Sequence, residues 1–64
     1  MKIETYNIEY ILMKEEKGVM KEYSLGSREI SLNTDGPLSK EALAFRRASR
    51  KQIEANKLII TKVG

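Results

Sequence analysis

The stretch YNIEYILMKEEKGVMKEYSL, residues 6–25, decides the architecture. Its first half alternates: Tyr6, Ile8, Tyr10 and Leu12 fall on one side, ended by Glu4 and Lys14, while the other side mixes Asn7 and Glu9 with Ile11 and Met13. That is the period of a β-strand with one apolar and one mixed face. The pattern breaks at Glu15–Gly18, where Gly18 can take the left-handed backbone that closes a hairpin without steric cost. A three-residue loop would put Tyr23 opposite Ile11 on the mixed face. The four-residue loop Glu15 to Gly18 instead pairs Lys14 with Val19, Tyr10 with Tyr23 and Ile8 with Leu25, which keeps apolar side chains together and is the register expected.

Downstream, LGSRE (residues 25–29) reads as another turn and ISLN (30–33) as a short third strand with Ile30 and Leu32 on one side, ended by NTDGP (33–37). After Pro37 the period becomes helical. Ser39 is the expected N-cap with Glu41 in the first turn, and Pro37 at the first helical position with Gly36 as cap is the rival start. At 100° per residue, Leu38, Ala42, Phe45, Ala48, Ile53 and Ala55 gather on one half together with Ser49 and Gln52. Lys40, Arg46, Arg47, Arg50, Lys51, Glu54 and Lys57 gather on the other, with Leu43 the one apolar residue among them. Asn56 suits the helix exit, and KLIITKV (57–63) reads as a strand apolar on both faces, hence interior to its sheet. The expected fold is α+β over a single small domain, residues 1–64. A small antiparallel sheet, built of a β-hairpin plus a short third strand, carries one amphipathic helix packed on one face and a C-terminal strand (βββαβ). Phe45 is the expected anchor of the helix, facing Tyr10, Tyr23, Ile8 and Leu25.

A chain of 64 residues buries only about 60% of the surface its unfolded form exposes. Its 41% hydrophobic and 33% charged residues suit a folded domain rather than a disordered one. No apolar run approaches the ~18 residues of a membrane span. The opening MKIETYNIEY has acids and tyrosines where a signal peptide is apolar, so a cytoplasmic protein with no membrane partner is expected. With no cysteine there is neither a disulfide framework nor a thiolate metal site. Self-association is the remaining common way for so small a core to gain buried area.

Catalytic chemistry finds little to work with. Histidine and cysteine are both absent, which removes the commonest general base, metal ligand and thiol nucleophile. Glu15 and Glu16 are adjacent carboxylates, but a hairpin tip offers no burial to shift their pKa values. The NTDG segment lacks the ladder of oxygen ligands of a calcium loop, and there is no glycine-rich phosphate loop. No catalytic residue, metal or cofactor is expected, and the chain reads as a non-enzymatic binding protein.

Charge points to a partner. Residues 1–35 carry five basic and seven acidic side chains, net −2, whereas residues 36–64 carry seven basic and two acidic, net +5. The excess centres on FRRASRK, residues 45–51. On a continuous helix, Arg46 and Arg50 lie one turn apart, as do Arg47 and Lys51, making two adjacent rows suited to phosphates. Candidate nucleic-acid contacts are therefore Arg46, Arg47, Arg50, Lys51, Lys40 and Lys57. A solvated helix face is the plain alternative, yet such a face interleaves both signs, and here Glu54 is the one acid within the rows. An acidic protein is a further possible partner. Tyr6, Tyr10 and Tyr23 suggest either a stacking platform for bases or a core, and the need to cover the Phe45 face favours the core. The mixed sheet face, with Ile3, Ile11, Met13 and Met20 beside Ile59, is a candidate interface, most simply of a homodimer. A protein-binding or inhibitory module acting through that face is the second functional expectation. The size and plan resemble small phage-like and bacterial accessory proteins, without a motif that names a family.

Overall fold

The structure, a computed structural model, describes residues 2–33 and 39–63. Most of the turn expected over 33–37, the rival helix start at Gly36 and Pro37, and Leu38 lie outside the described residues.

Two long strands, β1 (Ile3–Glu16) and β2 (Val19–Asn33), form the hairpin. Only Lys17 and Gly18 join them, both with positive φ (52° and 78°). Positive φ at both central residues is the signature of the type I′ turn, whose twist matches the strands it connects. The loop is thus two residues long, not four, and Lys14 faces Lys21 while Leu12 faces Tyr23. The register differs from the expected one by two residues, and a slip of two leaves every side chain on its own face. Tyr23 therefore stays on the Tyr10 side.

The turn expected at LGSRE does not form, and no separate strand begins at Ile30. Glu9 pairs with Ser27 and Ile11 with Ser24, so Leu25 and Gly26 together stand against Tyr10. This is a β-bulge: the extra residue is absorbed at Gly26, whose φ of 107° suits glycine, and pairing resumes on either side. The order becomes ββαβ, an antiparallel sheet of three strands with β1 in the centre. The last strand, β3 (Lys57–Val63), pairs with Thr5–Ile11 of β1 alone. It is an edge, not the interior strand that its apolar composition suggested.

Helix α1 (Lys40–Arg46) starts at Ser39 as expected, with the Ser39 Oγ accepting from the Ala42 amide at 3.1 Å. It ends well short of Asn56. Ser49 and Gln52 supply the reason: the Ser49 amide donates to Gln52 Oε1 at 3.0 Å and the Gln52 amide donates to Ser49 Oγ at 3.4 Å. This reciprocal Ser-x-x-Gln pair is a capping box. It opens a fresh turn, the 3₁₀ segment Gln52–Glu54, and competes with continuation of α1.

Shortening the helix changes which face is buried. Leu43 and Ala44 point into the core, while Phe45, the expected anchor, is 46% exposed and stands outside it. Phe45→Ala is accordingly expected to cost about 1 kcal/mol or less, as surface substitutions do. Thermal denaturation followed by circular dichroism checks this, and a loss of the folded transition would return Phe45 to the core.

The core gathers Tyr6, Ile8 and Tyr10 of β1, Ile30 of β2, Leu43 and Ala44 of α1, and Ala55. Leu25, Leu32, Ala48, Leu58 and Ile60 pack around it, half-buried. The Tyr10 hydroxyl donates to the Ala44 carbonyl at 2.5 Å, tying the central strand to the helix. The other face of the sheet carries no helix, yet Ile11 there is only 4% exposed. Lys57 lies beside Ile11 on one flanking strand and Glu22 beside Met13 on the other. Their 3.0 Å ion pair spans the open face of β1 between Ile11 and Met13.

The molecule measures 49 × 22 × 17 Å. Its length comes from the end of the hairpin beyond Ile11, where β3 no longer accompanies β1. Asn56 ties the base of this arm: its amide donates to the Ile11 carbonyl at 3.0 Å, its Nδ2 to the Met13 carbonyl at 3.0 Å, and its Oδ1 accepts from the Met13 amide at 2.7 Å. The side chain extends the β3 ladder by one step, a part that a helix-exit residue does not play.

Candidate nucleic-acid interface

Because α1 stops at Arg46, the two expected rows of cations do not form. Arg46 closes the helix, Arg47 is its C-cap (φ −100°, ψ 1°), and Arg50 and Lys51 follow on the turn that leads into the 3₁₀ segment. All four are exposed. None has an ion pair or side-chain hydrogen bond among the described residues, where the ion-paired cations are Lys2, Lys21, Lys57 and Lys62. Four positive charges without a partner among the described residues thus follow one another from the helix end through the turn at Arg50 and Lys51 instead of lining one helix.

The same turn recruits a residue that the sequence did not put forward. Arg28 lies on β2 opposite Ile8, hence on the helix side of the sheet, and its Nε donates to Gln52 Oε1 at 2.8 Å. Gln52 is buried, and the oxygen that receives Arg28 also holds the Ser49 amide. Its Nε2 lies against the bulge, since a Cβ on Gly26 would sit 3.1 Å from it. The bulge, the capping box and Arg28 are therefore one unit. Holding the guanidinium by Nε leaves both Nη groups for an anion. The capping-box signal Ser49-x-x-Gln52 was present in the sequence, but the approach of Arg28 depends on the bulge and could not be read from spacing.

Gln52→Ala should release Arg28 and strip a partner from the Ser49 amide, at a cost of about 1–3 kcal/mol. Urea denaturation of the variant checks this, with an unchanged midpoint arguing that the unit contributes nothing to stability.

Two of the expected contacts fall elsewhere. Lys40, at the start of α1, holds its Nζ 4.9 Å from the centre of the Tyr6 ring, a cation–π arrangement at the opposite end of the helix from Arg46. Lys57 points to the uncovered face and is engaged with Glu22, so it is not part of the cluster. Glu54 lies exposed on the 3₁₀ segment beside the cluster.

The candidate interface residues also separate. Ile3 and Met20 are exposed, Met13 is half-buried and Ile11 is buried. Ile3 and Met13 sit on one strand about 33 Å apart at 3.3 Å per residue, with Asn7 and Glu9 between them on that face, so the four residues make no single patch.

Tyr6 and Tyr10 belong to the core, whereas Tyr23 stands on the arm and donates to Glu16 Oε1 at 2.8 Å. Glu16 also meets Lys21 at 3.4 Å, which splits the Glu15/Glu16 pair between the two faces of the ribbon. Hydrogen bonding from the Tyr6 hydroxyl, then from Lys62, holds the Glu4 carboxyl below its usual range. Donation to Glu4 raises the Tyr6 hydroxyl, and donation to Glu16 raises that of Tyr23. Burial raises Tyr10, an effect that the Arg28 charge opposes. A tyrosine whose pKa is higher in the fold stabilises it below the unfolded value of about 10, and that stability is lost as pH rises through the folded value. Urea midpoints are expected to be flat from pH 7 to about 9.5 and to fall above it, and a midpoint that rises there would contradict the two hydrogen bonds and the burial that raise these tyrosines.

Among the described residues, no three histidine, cysteine or carboxylate side chains converge on a metal position. Comparison with protein-family models, with curated proteins and with solved structures finds no match.

Proposed function

We propose that this chain binds nucleic acid through the turn that follows α1, and that its preferred form is single-stranded. The observation that carries the reading is the cluster Arg46, Arg47, Arg50 and Lys51, exposed and without an acidic partner among the described residues. Arginines and lysines so placed exchange bound counterions for phosphates, which is the main source of affinity for a polyanion. Arg28 adds a fifth charge, with Gln52 orienting it.

Phe45 favours single strands over duplex. It precedes Arg46 on α1, nearly half exposed and outside the core. An aromatic ring among cations can stack on an unpaired base while the cations follow the backbone, whereas the stacked bases of a duplex present no free face. Fluorescence anisotropy with labelled single-stranded and duplex oligonucleotides of matched length tests the reading. Tighter binding of the single strand is expected, and Phe45→Ala should weaken it roughly 5- to 150-fold, from about 1–3 kcal/mol per stacked base. Equal affinity for duplex with no effect of Phe45→Ala would remove the stacking part, and absence of binding at low salt would remove the proposal.

A further inference from the structure

We infer that the outer edge of β3 pairs with the same edge of a second copy, joining two sheets into one of six strands about a two-fold axis at Ile60. The inference is independent of nucleic-acid binding and starts from a contrast between the two edges of the sheet. An open edge presents unpaired N–H and C=O groups, and monomeric proteins blunt it with charges, bulges or cover. The β2 edge has such devices: Lys21, Glu22, Arg28 and Glu29 line it and the Gly26 bulge interrupts it. The β3 edge does not. Leu58, Ile59, Ile60 and Thr61 run without a charge, only Lys57 and Lys62 flank them, and no backbone hydrogen bond from another described segment reaches the outer side. A strand with the composition of a sheet interior is thus left at the rim.

The register and the occupant follow from charge and face. Antiparallel pairing centred on Ile60 engages all seven residues and sets Lys57 against Val63 and Leu58 against Lys62, so each lysine meets an apolar residue of the other copy. Ile60 then faces its own copy on the helix side. On the open side the Ile59 side chain, 40% exposed, becomes a diagonal neighbour of the same residue and of Val63, 45% exposed, in the second copy. A slip of one residue would oppose Lys57 to Lys62 and join the core face of one sheet to the open face of the other. A slip of two keeps the faces matched but engages only five of the seven residues, so the pairing centred on Ile60 is the fullest self-complementary one and favours a second copy of this chain over an unrelated strand.

A seven-residue strand pair is small beside the ~800 Å² per partner of standard interfaces, so the association is concentration-dependent. Multi-angle light scattering of the full chain from about 10 µM to 1 mM, the range of weak complexes, is expected to show the mass rising from 7.3 kDa toward twice that value. Ile59→Lys and, separately, Thr61→Lys at an already exposed polar position should both hold the mass at the monomer value with unchanged circular dichroism. The absence of cysteine allows a test of register: under mild oxidation, a mixture of Ile59→Cys and Thr61→Cys chains should cross-link to each other at least several-fold more than to themselves. A monomeric mass throughout, a dimer that survives both lysine substitutions, or self-linking that equals mixed linking would each overturn the inference.

Discussion

Tyr10→Ala is expected to abolish the cooperative fold. The side chain is fully buried on the central strand, and its hydroxyl holds the carbonyl of Ala44 at the helix. Removing a large buried aromatic costs about 3–5 kcal/mol. At roughly 0.05–0.15 kcal/mol per residue, a chain of this length has about 3–10 kcal/mol in all. Far-ultraviolet circular dichroism and urea titration give the result directly. Tyr10→Phe separates the two contributions: it keeps the ring, orphans the Ala44 carbonyl and should cost about 1–3 kcal/mol. A Tyr10→Ala chain that melts like the parent would mean that α1 does not rest on this strand.

Charge reversal at Arg46 and Arg50 should eliminate nucleic-acid binding while leaving the fold intact, because both side chains are exposed. For a single strand the slope of log K against log salt is about −0.7 per phosphate contact, so four or five cations give roughly −3 to −3.5. The double reversal removes two contacts and adds two repulsions at the same turn. A matched reversal of Lys14 and Lys17, two exposed cations on the arm, keeps the same net charge and should change affinity only a few-fold. Glu54→Gln should tighten binding slightly by removing the acid beside the cluster. If the arm and turn reversals weaken binding equally, net charge rather than this turn is responsible. If the turn reversal binds like the parent, the four cations are only solvated surface.

Much of the sheet was legible in the sequence because strand alternation records faces rather than pairings. The hairpin register differs by two from the one expected, and alternation is blind to a shift of two, so Tyr6, Ile8 and Tyr10 keep the helix side that the pattern gives them, while Ile30, read only as one side of a separate strand, joins them in the core. The bulge was mistaken for a turn because Gly26 signals a positive φ in either setting. The helix misled for a different reason: a wheel drawn through residue 56 averages the direction of burial over turns that do not exist. Within Lys40–Arg46, Leu43 and Ala44 set that direction and Phe45 falls outside it. The capping box at Ser49 and Gln52 was the local signal that marked the break. Of the candidate site, Arg46, Arg47, Arg50 and Lys51 were visible as a run, whereas Arg28 and the removal of Lys57 by Glu22 depend on which strands meet.

The arm beyond Ile11 has consequences for how the molecule opens. Two strands alone are marginal in water, and along Leu12–Tyr23 neither β3 nor the helix backs the ladder. Amide hydrogen exchange should therefore fall into two classes. Leu12 and the residues from Lys14 to Tyr23 are expected to exchange by local fraying, with protection far below that of the global unfolding reaction, while Ile8, Tyr10 and Ile30 exchange only when the whole domain unfolds. Met13 marks the step between them, since Asn56 bonds both its N–H and its C=O. Asn56→Ala should move that step back to Ile11, so that a single side chain sets where the cooperative unit of this protein ends.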